Sequence, residues 1–521
     1  MKHKILLIAI LLLGIFLRLY KLGTIPNSYT PDEVAQGYTA YSILNTGKDE
    51  WGSRNWLSLR SFGDYKPPIQ TLLMIPSIKV FGLTPFAVRF PNAIFSIFVL
   101  FLTYLVSQQL FKNKNISLLA TFLICISPHL LPMSRIALEA NLTVVLTLLG
   151  FYLYLSFPAL SAILFGLTFF TYHSSKIFTL FIILALVIFH KKISKIFVIV
   201  LSVFLLILFL NNQSARTGDI IITHPTDNWS GLSSDQYEIT QNGSPRILTR
   251  LLNNKITYTG RIFLQNYFSY LSPQFLTTIG AGETTYGMIP GFGIIGYIAS
   301  IGLIYAIYFA IKHKSNRALN LLFIILLFCP AIPALAKGSY SANRISIISP
   351  FIQIIAAYGL FTLFKNKLIK YVLIVLLVLE SSYFLQTYYF RSNQILSNGM
   401  LFGHQEAINY LKQFPDQTII YSRKLSEPQA YVAFFEKIDP ALTQKDFSNI
   451  KKDFTFLDQV GEYRLKNYIF KNIDYVKDSQ LPNTILVGRP NEIPEDNVDV
   501  TIFYPSATNR EPAIVIHHET N

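Results

Sequence analysis

Two adjacent acidic residues, Asp32 and Glu33, follow closely on the first hydrophobic segment, in the stretch YTPDEVAQGYTAYSIL (29–44). A carboxylate at a membrane boundary can act as a general base that takes a proton from a hydroxyl group. The same stretch suits the start of a helix, because Thr30 and Glu33 have the spacing of a capping box and Pro31 favours the first helical position. We therefore predict a helix start on which Asp32 can still face a substrate.

Basic residues that could bind an anion recur in later polar stretches. Lys66 stands in GDYKPPI, just before an apolar helix predicted at 69–82 that is too short to span a membrane. Arg135 and Glu139 in SRIALEANL are four residues apart, so we expect them on one face of a helix, where they could also pair with each other. Arg344 ends KGSYSANR. One carboxylate with several cations suits transfer from a phosphate ester, because phosphate leaves readily and lysine and arginine bind it well.

The composition places these residues in a membrane protein. Of the 521 residues 51% are hydrophobic and only 14% are charged, with a mean hydropathy of +0.40, whereas soluble proteins have about 25% charged residues. Long hydrophobic blocks approach the roughly 20 residues that a helix needs to cross a bilayer. We predict eleven transmembrane segments: 5–20, 86–111, 116–132, 136–157, 159–171, 177–190, 193–210, 289–311, 318–335, 345–364 and 368–386.

The basic residues indicate how these segments are oriented. With the N-terminus in the cytoplasm, four of the five inner connections are basic: Lys112 with Lys114, 190–195, 312–317 and 365–370. Loops 21–85 and 211–288 and the C-terminus then lie outside the cytoplasm. The first segment has no small-residue cleavage site and is predicted to be a retained anchor. Because these loops account for part of the net charge of +15, the charge does not indicate nucleic-acid binding.

The tail 387–521 is predicted to be a soluble α/β domain, separate from a transmembrane domain 1–386. Its helical patterns at 403–414 and 462–473 alternate with short β patterns at 417–422, 484–488, 498–504 and 513–518. His517 and His518 are adjacent in one predicted strand and would point to opposite faces, which argues against a shared metal. The predicted fold class is therefore mainly α, a polytopic membrane protein with a C-terminal extracytoplasmic α/β domain.

Several motifs together resemble the GT-C membrane glycosyltransferases. PDEVAQGY is followed by GDYKPPI, then by SRIALEAN and NRISIISPFIQIIAAYGL. This order is similar to the protein O-mannosyltransferase and aminoarabinose transferase branch, in particular to its bacterial RgtA/B/C/D-like group, which the stretches 266–293 and 431–444 also resemble. The resemblance implies a plasma-membrane enzyme that moves a hexose or pentose, with inversion, from a polyprenyl-phosphate donor to a hydroxyl of a lipid, glycan or protein acceptor.

The resemblance also implies roles for single residues. Asp32 aligns with the first-loop aspartate that is the family's proposed catalytic base, and Glu33 is its usual neighbour. Glu139 stands where that branch often has aspartate, which makes it a candidate second acid. Some members bind a divalent metal and others do not, so no cofactor is certain, and Asp32 with Glu139 is the one pair that could contribute to a metal site. Four residues match positions near the donor phosphate: Tyr65, Lys66, Arg135 and Arg344.

Two other classes of protein remain open at this point. A flippase or transporter for a lipid-linked saccharide would place its ionisable residues near the middle of the membrane, often with broken helices in paired positions. Here the ionisable residues lie at one face, and paired halves are not evident. If the protein were a membrane-anchored receptor with a ligand-binding tail, the motifs of the first loop would have no function. The sequence therefore favours glycosyl transfer, with no nucleic-acid partner.

Overall fold

A computed structural model describes residues 1–60, 65–210, 221–223, 225–313, 316–338, 341–448, 450, 461–506, 508 and 510–519. Within them, one long helix corresponds to each predicted transmembrane segment, and the mainly helical fold class is confirmed. These helices are Lys2–Leu19, Pro85–Phe111, Lys114–Cys125, Glu139–Leu153, Pro158–Thr168, Ser175–His190, Lys195–Leu210, Tyr297–Lys312, Arg317–Phe328, Ser349–Leu363 and Lys367–Ile395.

Four stretches of the described chain are long and apolar enough to cross a membrane alone: Pro85–Phe111, Arg317–Leu335, Ser346–Leu363 and Lys367–Ile395. The other long helices are apolar but shorter or more charged, so the number of eleven spans stays a prediction. Between these helices, the chain forms the additional helices Pro31–Thr46, Pro68–Phe81, Leu130–Met133, Pro225–Gln241, Arg246–Leu252 and Lys255–Leu271. The short helix predicted at 69–82 is thereby confirmed.

The predicted helical pairing of Arg135 with Glu139 is wrong. Residues 134–138 form turns, and the next helix begins only at Glu139. The turn is held by Asn92, whose Nδ2 donates to the Leu138 carbonyl at 3.1 Å and also to the carbonyl of Ile136. A polar side chain from a neighbouring helix therefore satisfies backbone groups that would otherwise bond within a helix.

The bundle has two ends with different chemistry. At one, the basic end, the first helix begins and the short connections carry lysines, namely Lys112, Lys114, Lys191, Lys192 and Lys365. At the other, the loop end, lie the helices Pro31–Thr46 and Pro68–Phe81 and the turn 134–138. The two ends agree with the clustering of basic loops, whereas the direction in which the bundle sits in a membrane stays a prediction.

The C-terminal unit, residues 404–518, is an α/β structure. Its helices are His404–Leu411, Pro428–Phe435, Pro440–Phe447 and Tyr475–Asp478. In the first loop, β1 Leu59–Arg60 pairs with β2 Tyr65–Lys66. The strands of the C-terminal unit are β3 Thr418–Ser422, β4 Tyr463–Leu465, β5 Tyr468–Lys471, β6 Thr484–Gly488, β7 Val500–Phe503 and β8 Pro512–His518. These six strands lie in the order β4-β5-β3-β6-β8-β7, with β3 parallel to β5 and β6 and the other pairs antiparallel.

One segment of the C-terminal unit was predicted to be a helix but forms two strands. The stretch 462–473 forms the hairpin of β4 and β5 instead of a helix. Its buried side chains alternate with more exposed ones in both strands, which is the period of a strand. Lys466 turns the chain with a positive φ of 58°. The predicted β patterns at 417–422, 484–488, 498–504 and 513–518 and the helix at 403–414 are confirmed.

The helix Pro31–Thr46 is packed between the membrane bundle and the C-terminal unit. The hydroxyl of Tyr38 donates to the Ile438 carbonyl at 2.9 Å. In the other direction, the hydroxyl of Tyr431 donates to the carbonyl of Tyr29 at 2.7 Å. Both hydroxyls belong to buried side chains, so the two parts are joined by hydrogen bonds shielded from water.

Close packing at Gly37 shows how tightly this helix is held. A Cβ atom there would lie 2.7 Å from the Val88 side chain of the bundle and 2.9 Å from the Phe434 ring of the C-terminal unit. One buried hydrophobic cluster accordingly contains side chains of both parts. The last long helix, Lys367–Ile395, extends past residue 386, where the transmembrane domain was predicted to end. The division into domains 1–386 and 387–521 therefore stays a prediction.

Candidate active site

The helix Pro31–Thr46 begins as its sequence predicts. Thr30 is the N-cap, and its hydroxyl accepts a hydrogen bond from the Glu33 amide at 3.1 Å. Pro31 occupies the first helical position. The two acids of the first turn then point to different partners, Glu33 into the protein core and Asp32 towards Lys66. The cap and the candidate base are therefore compatible on one helix turn.

Glu33 is buried in a two-point ion pair with Arg89. Arg89 donates through Nε to Oε1 at 2.7 Å and through Nη2 to Oε2 at 3.0 Å. The guanidinium also donates to the carbonyls of Pro26 at 2.7 Å and Ser28 at 2.8 Å. Glu33 therefore holds the chain that leads into the helix, and its predicted direct part in catalysis gains no support from this position.

Lys66 brings three charged side chains together at the loop end. Its ammonium lies 2.6 Å from Oδ1 of Asp32, and the exposed fractions of the two side chains are 11% and 33%. Burial opposes the charge of Lys66, but the carboxylates of Asp32 and Glu139 outweigh that effect and raise the pKa of the ammonium. Glu139 accepts a hydrogen bond from Nε2 of Gln36 at 2.7 Å. Two predicted acids and one predicted cation thus share a partly open site.

Arg135 binds backbone carbonyls, so its predicted part in phosphate binding gains no support from its contacts. Its Nη1 donates to the carbonyls of Leu17 at 2.8 Å and Arg18 at 3.0 Å, and its Nη2 donates to those of Tyr20 at 2.7 Å and Ile25 at 2.9 Å. The side chain is fully buried. The first three of these carbonyls lie at the end of the first helix, where a helix leaves its last carbonyls without internal partners. The contacts support a structural role for Arg135 rather than binding of a phosphate.

Arg344 belongs to a second charged group near the first. It is half-buried, and its Nη1 donates to the Lys337 carbonyl at 3.2 Å. Burial raises the pKa of Glu283 against the opposing charge of Arg344, and Glu283 accepts from the amide of Ala342 at 2.8 Å. Burial likewise raises the pKa of Tyr286, with contributions from Asp32 and Glu283. Tyr286 therefore lies within electrostatic reach of both charged groups.

The connection 169–174 adds two polar side chains near these groups. Burial and the charges of Lys176 and Lys66 lower the pKa of His173 to about 4, so this imidazole is neutral at pH 7. The neighbouring Tyr172 is half-buried and lies within electrostatic reach of Arg344. Tyr65, by contrast, is exposed, and its predicted place near a donor phosphate stays a prediction.

The described residues contain no group of three or more histidine, cysteine, aspartate or glutamate side chains placed to hold a metal. The one pair considered from the sequence, Asp32 and Glu139, is brought together around the ammonium of Lys66. In this arrangement the lysine already supplies a positive charge to both carboxylates. The structure therefore adds no third ligand to that pair among the residues it describes.

Comparisons with known proteins agree with this fold. The family model described as dolichyl-phosphate-mannose-protein mannosyltransferase matches residues 8–224, which include Asp32, Lys66 and Glu139. The predicted resemblance to the GT-C membrane glycosyltransferases is confirmed over these residues. The multi-pass arrangement in a membrane and the narrower place in the RgtA/B/C/D-like group stay predictions. No curated protein sequence matches the chain.

Solved structures share the GT-C fold at low sequence identity. ArnT from Cupriavidus metallidurans in the apo state has a TM-score of 0.53 at 10% identity, covering 99% of this chain and 98% of that chain. The same protein bound to undecaprenyl phosphate gives 0.51 at 9% identity, covering 98% and 97%. The archaeal oligosaccharyltransferase AglB from Archaeoglobus fulgidus gives 0.43 at 14% identity, covering 83% and 63%.

Several residues of this site escaped the sequence analysis. Arg89 is an isolated charge inside the apolar helix Pro85–Phe111, and a charge in such a place usually has a specific partner, so its position was a usable signal. Glu283, Tyr286 and His173 lie in polar connections whose contacts depend on how distant segments meet. Their types alone gave no signal that separates them from ordinary loop residues.

Proposed function

We propose that this protein is an inverting glycosyltransferase that moves a hexose or pentose from a polyprenyl phosphate to an acceptor hydroxyl. The observation that carries the proposal is the contact of 2.6 Å between Asp32 and Lys66 in a partly open site beside Glu139. The fold adds support, because ArnT, which shares it, has been solved with undecaprenyl phosphate bound. Acceptor hydroxyls of a lipid, glycan or protein all fit the proposed chemistry.

The proposed reaction is a single displacement. Asp32 takes the proton of the acceptor hydroxyl. At the same time, the oxygen of that hydroxyl attacks the anomeric carbon of the sugar. The bond from that carbon to the phosphate oxygen breaks, and its electron pair leaves with the polyprenyl phosphate. Lys66 and Arg344 stabilise the negative charge on the departing phosphate. Attack on the face opposite the leaving group inverts the anomeric carbon, and atoms and charge balance without a further reactant.

The ion pair of Lys66 with Asp32 suggests an order of events. Without donor, the ammonium is bound to the carboxylate at 2.6 Å. An incoming phosphate offers the ammonium a second anionic partner, and a shift of Lys66 towards it releases an oxygen of Asp32 for the acceptor. Glu139 remains as the second acid beside the ammonium and partly balances its positive charge. Donor binding would thus prepare the base.

The same proposal includes the location and orientation of the enzyme and the roles of its C-terminal unit, Tyr65 and Glu33. The enzyme lies in the plasma membrane with its N-terminus in the cytoplasm, and the loop end and the C-terminal unit face outwards. That unit covers the helix of Asp32 and is the natural site for part of the acceptor. Tyr65 lies beside the donor phosphate, and Glu33 acts on Asp32 only by holding the helix start. A divalent metal is not required by this scheme.

The test is transfer by the purified full-length protein in vesicles, with a radiolabelled undecaprenyl-phosphate sugar as donor and envelope glycans as acceptors. We expect Asp32→Asn to lower the transfer rate by about 10²–10⁴-fold, because the amide cannot take a proton at neutral pH. Its thermal stability should remain that of the wild type. The matched control is Asp235→Asn, which removes a carboxylate from an exposed pair with Arg261. Equal rates for the wild type and Asp32→Asn would refute the proposal.

A further inference from the structure

A groove of about 640 Å³ lies at the basic end, far from the charged site. It runs between the first half of the helix Lys2–Leu19, the helix Lys114–Cys125 and the end of the helix Ser349–Leu363. Its walls are apolar and include Ala9, Leu119 and Phe361. The volume is in the range of about 300–1,000 Å³ that is typical of small-molecule sites.

Polar groups are confined to the mouth of this groove. Lys365 and Lys370 line it where the helix Lys367–Ile395 begins, and Asn115 lines it from the other side. Asn115 Oδ1 is 3.0 Å from Nε2 of His3, which brings the N-terminal segment to the same rim. An apolar slot with two ammonium groups at its opening matches a molecule with an apolar chain and an anionic head.

The surroundings strengthen this charge pattern. In the sequence, the connections 111–114, 190–195, 312–317 and 364–370 and the segment 1–4 contain no acidic residue. The connections that surround the lysines of the groove therefore supply no carboxylate that could neutralise them. Clusters of basic residues at a membrane surface attract anionic lipids, and each lysine or arginine strengthens the binding by roughly fivefold.

We propose that this groove binds an anionic phospholipid of the surrounding bilayer. One acyl chain lies along Ala9, Leu119 and Phe361, and the headgroup phosphate contacts Lys365 and Lys370. The site differs from the proposed donor site, whose cations Lys66 and Arg344 lie at the loop end. A phospholipid is favoured over the polyprenyl carrier because the carrier's phosphate is needed at those cations, across the membrane from this groove.

The proposal can be tested by native mass spectrometry of the full-length protein released from vesicles of phosphatidylglycerol and phosphatidylcholine. We expect the wild type to retain phosphatidylglycerol selectively and Lys365→Gln/Lys370→Gln to bind it roughly thirtyfold more weakly, as expected for two lost surface lysine contacts. The control, Lys191→Gln/Lys192→Gln, removes the same charge from the same end outside the groove. It should bind phosphatidylglycerol as the wild type does.

Two further arms separate the alternatives. Ala9→Phe fills the slot at an exposed position of the first helix, keeps both lysines and should reduce retention to a similar extent. Added undecaprenyl phosphate should not displace the bound phosphatidylglycerol. Equal losses in both lysine pairs, normal retention in Ala9→Phe, or displacement by undecaprenyl phosphate would each overturn the proposal. None of these outcomes depends on the transfer reaction, so the proposed function stands or falls separately.

Discussion

The loop end contains two sets of cations that differ in their surroundings. Arg18, Arg89 and Arg135 are fully buried, and backbone carbonyls take up much of their hydrogen-bonding capacity. Lys66 and Arg344 lie at a partly open site beside carboxylates. Both sets stand where an unpaired charge would be costly. The difference shows that a cation at a membrane boundary is not by itself evidence of a phosphate site, because its partners decide what it does.

The chemistry of the side chain explains why arginine fills the buried set. A guanidinium has five N–H donors in a fixed plane and no acceptor, so it can satisfy several carbonyls at once. Arg18, for example, donates to Ser96 Oγ at 2.8 Å and to the Cys125 carbonyl at 3.3 Å. Lysine has a compact charge on a flexible stem, which suits a partner that must be exchanged during a reaction.

The largest effect on stability is expected from Arg89→Met. The change leaves the carboxylate of Glu33 buried without its partner and removes donors from several carbonyls, which should lower the free energy of unfolding by about 3–5 kcal/mol. Thermal unfolding in detergent measures this. Arg261→Met is the control, since it breaks an exposed pair with Asp235 and should cost less than about 1 kcal/mol. Similar losses in both variants would remove the distinction between the two sets.

A smaller effect, on activity instead of stability, is expected from Lys66→Met. Loss of one charge-assisted hydrogen bond to phosphate costs about 1.5–3 kcal/mol, so donor use should fall by one to two decades while thermal unfolding stays near that of the wild type. The measured quantity is kcat/KM for the polyprenyl-phosphate sugar. Lys477→Met, which breaks an exposed lysine–aspartate pair with Asp474, should leave it unchanged. If Lys66→Met used the donor normally, Lys66 would have a structural role like that of the buried arginines.

A third effect, on the pH dependence of stability, concerns Glu50, a buried acid against the same helix. Thr39 donates to its Oε1 at 3.0 Å, and burial together with the charge of Asp49 raises the pKa of Glu50 from 4.5 to about 8. The folded protein therefore keeps this proton at pH values where the unfolded chain has released it. Stability should fall as pH rises from about 5 to about 8, by at most about 1.4 kcal/mol for each pH unit.

Glu50→Gln checks this sign, because glutamine cannot ionise. The variant should lose most of the pH-dependent fall in melting temperature that the wild type shows between pH 5 and pH 8. The control Glu495→Gln alters an exposed glutamate and should keep the fall. A fall that persists in Glu50→Gln would assign the pH dependence to other groups.

Periodicity and hydrophobic length predicted much of the fold. Each long helix of the bundle follows an apolar block, and the helix start at Thr30 follows from its capping residues. The hairpin at 463–471 was missed because its charged residues also fit a helical period. The turn before Glu139 was missed because it depends on Asn92, a side chain from another helix. Local patterns therefore failed where tertiary contacts decide the backbone.

The site was predictable only in part for the same reason. Asp32, Lys66 and Glu139 come together as residue types and motif order suggested. Arg135 looked equivalent to Lys66 in sequence, yet its four carbonyl partners come from a segment more than a hundred positions earlier. Glu380 is a similar case, since it accepts from the amides of Tyr297 and Ile298 at the start of another helix. The sequence shows which residues carry a charge, and only the fold shows which groups neutralise that charge.

The contact of Gly37 with both Val88 and Phe434 has a consequence for how such enzymes diversify. The helix that carries Asp32 is shaped on one side to the bundle and on the other to the C-terminal unit. If the tail were replaced by that of a relative, its side chains would not fit this helix unless the first loop were replaced as well. We therefore expect the first loop and the tail to be inherited and recombined as one module, although about three hundred residues separate them in the chain.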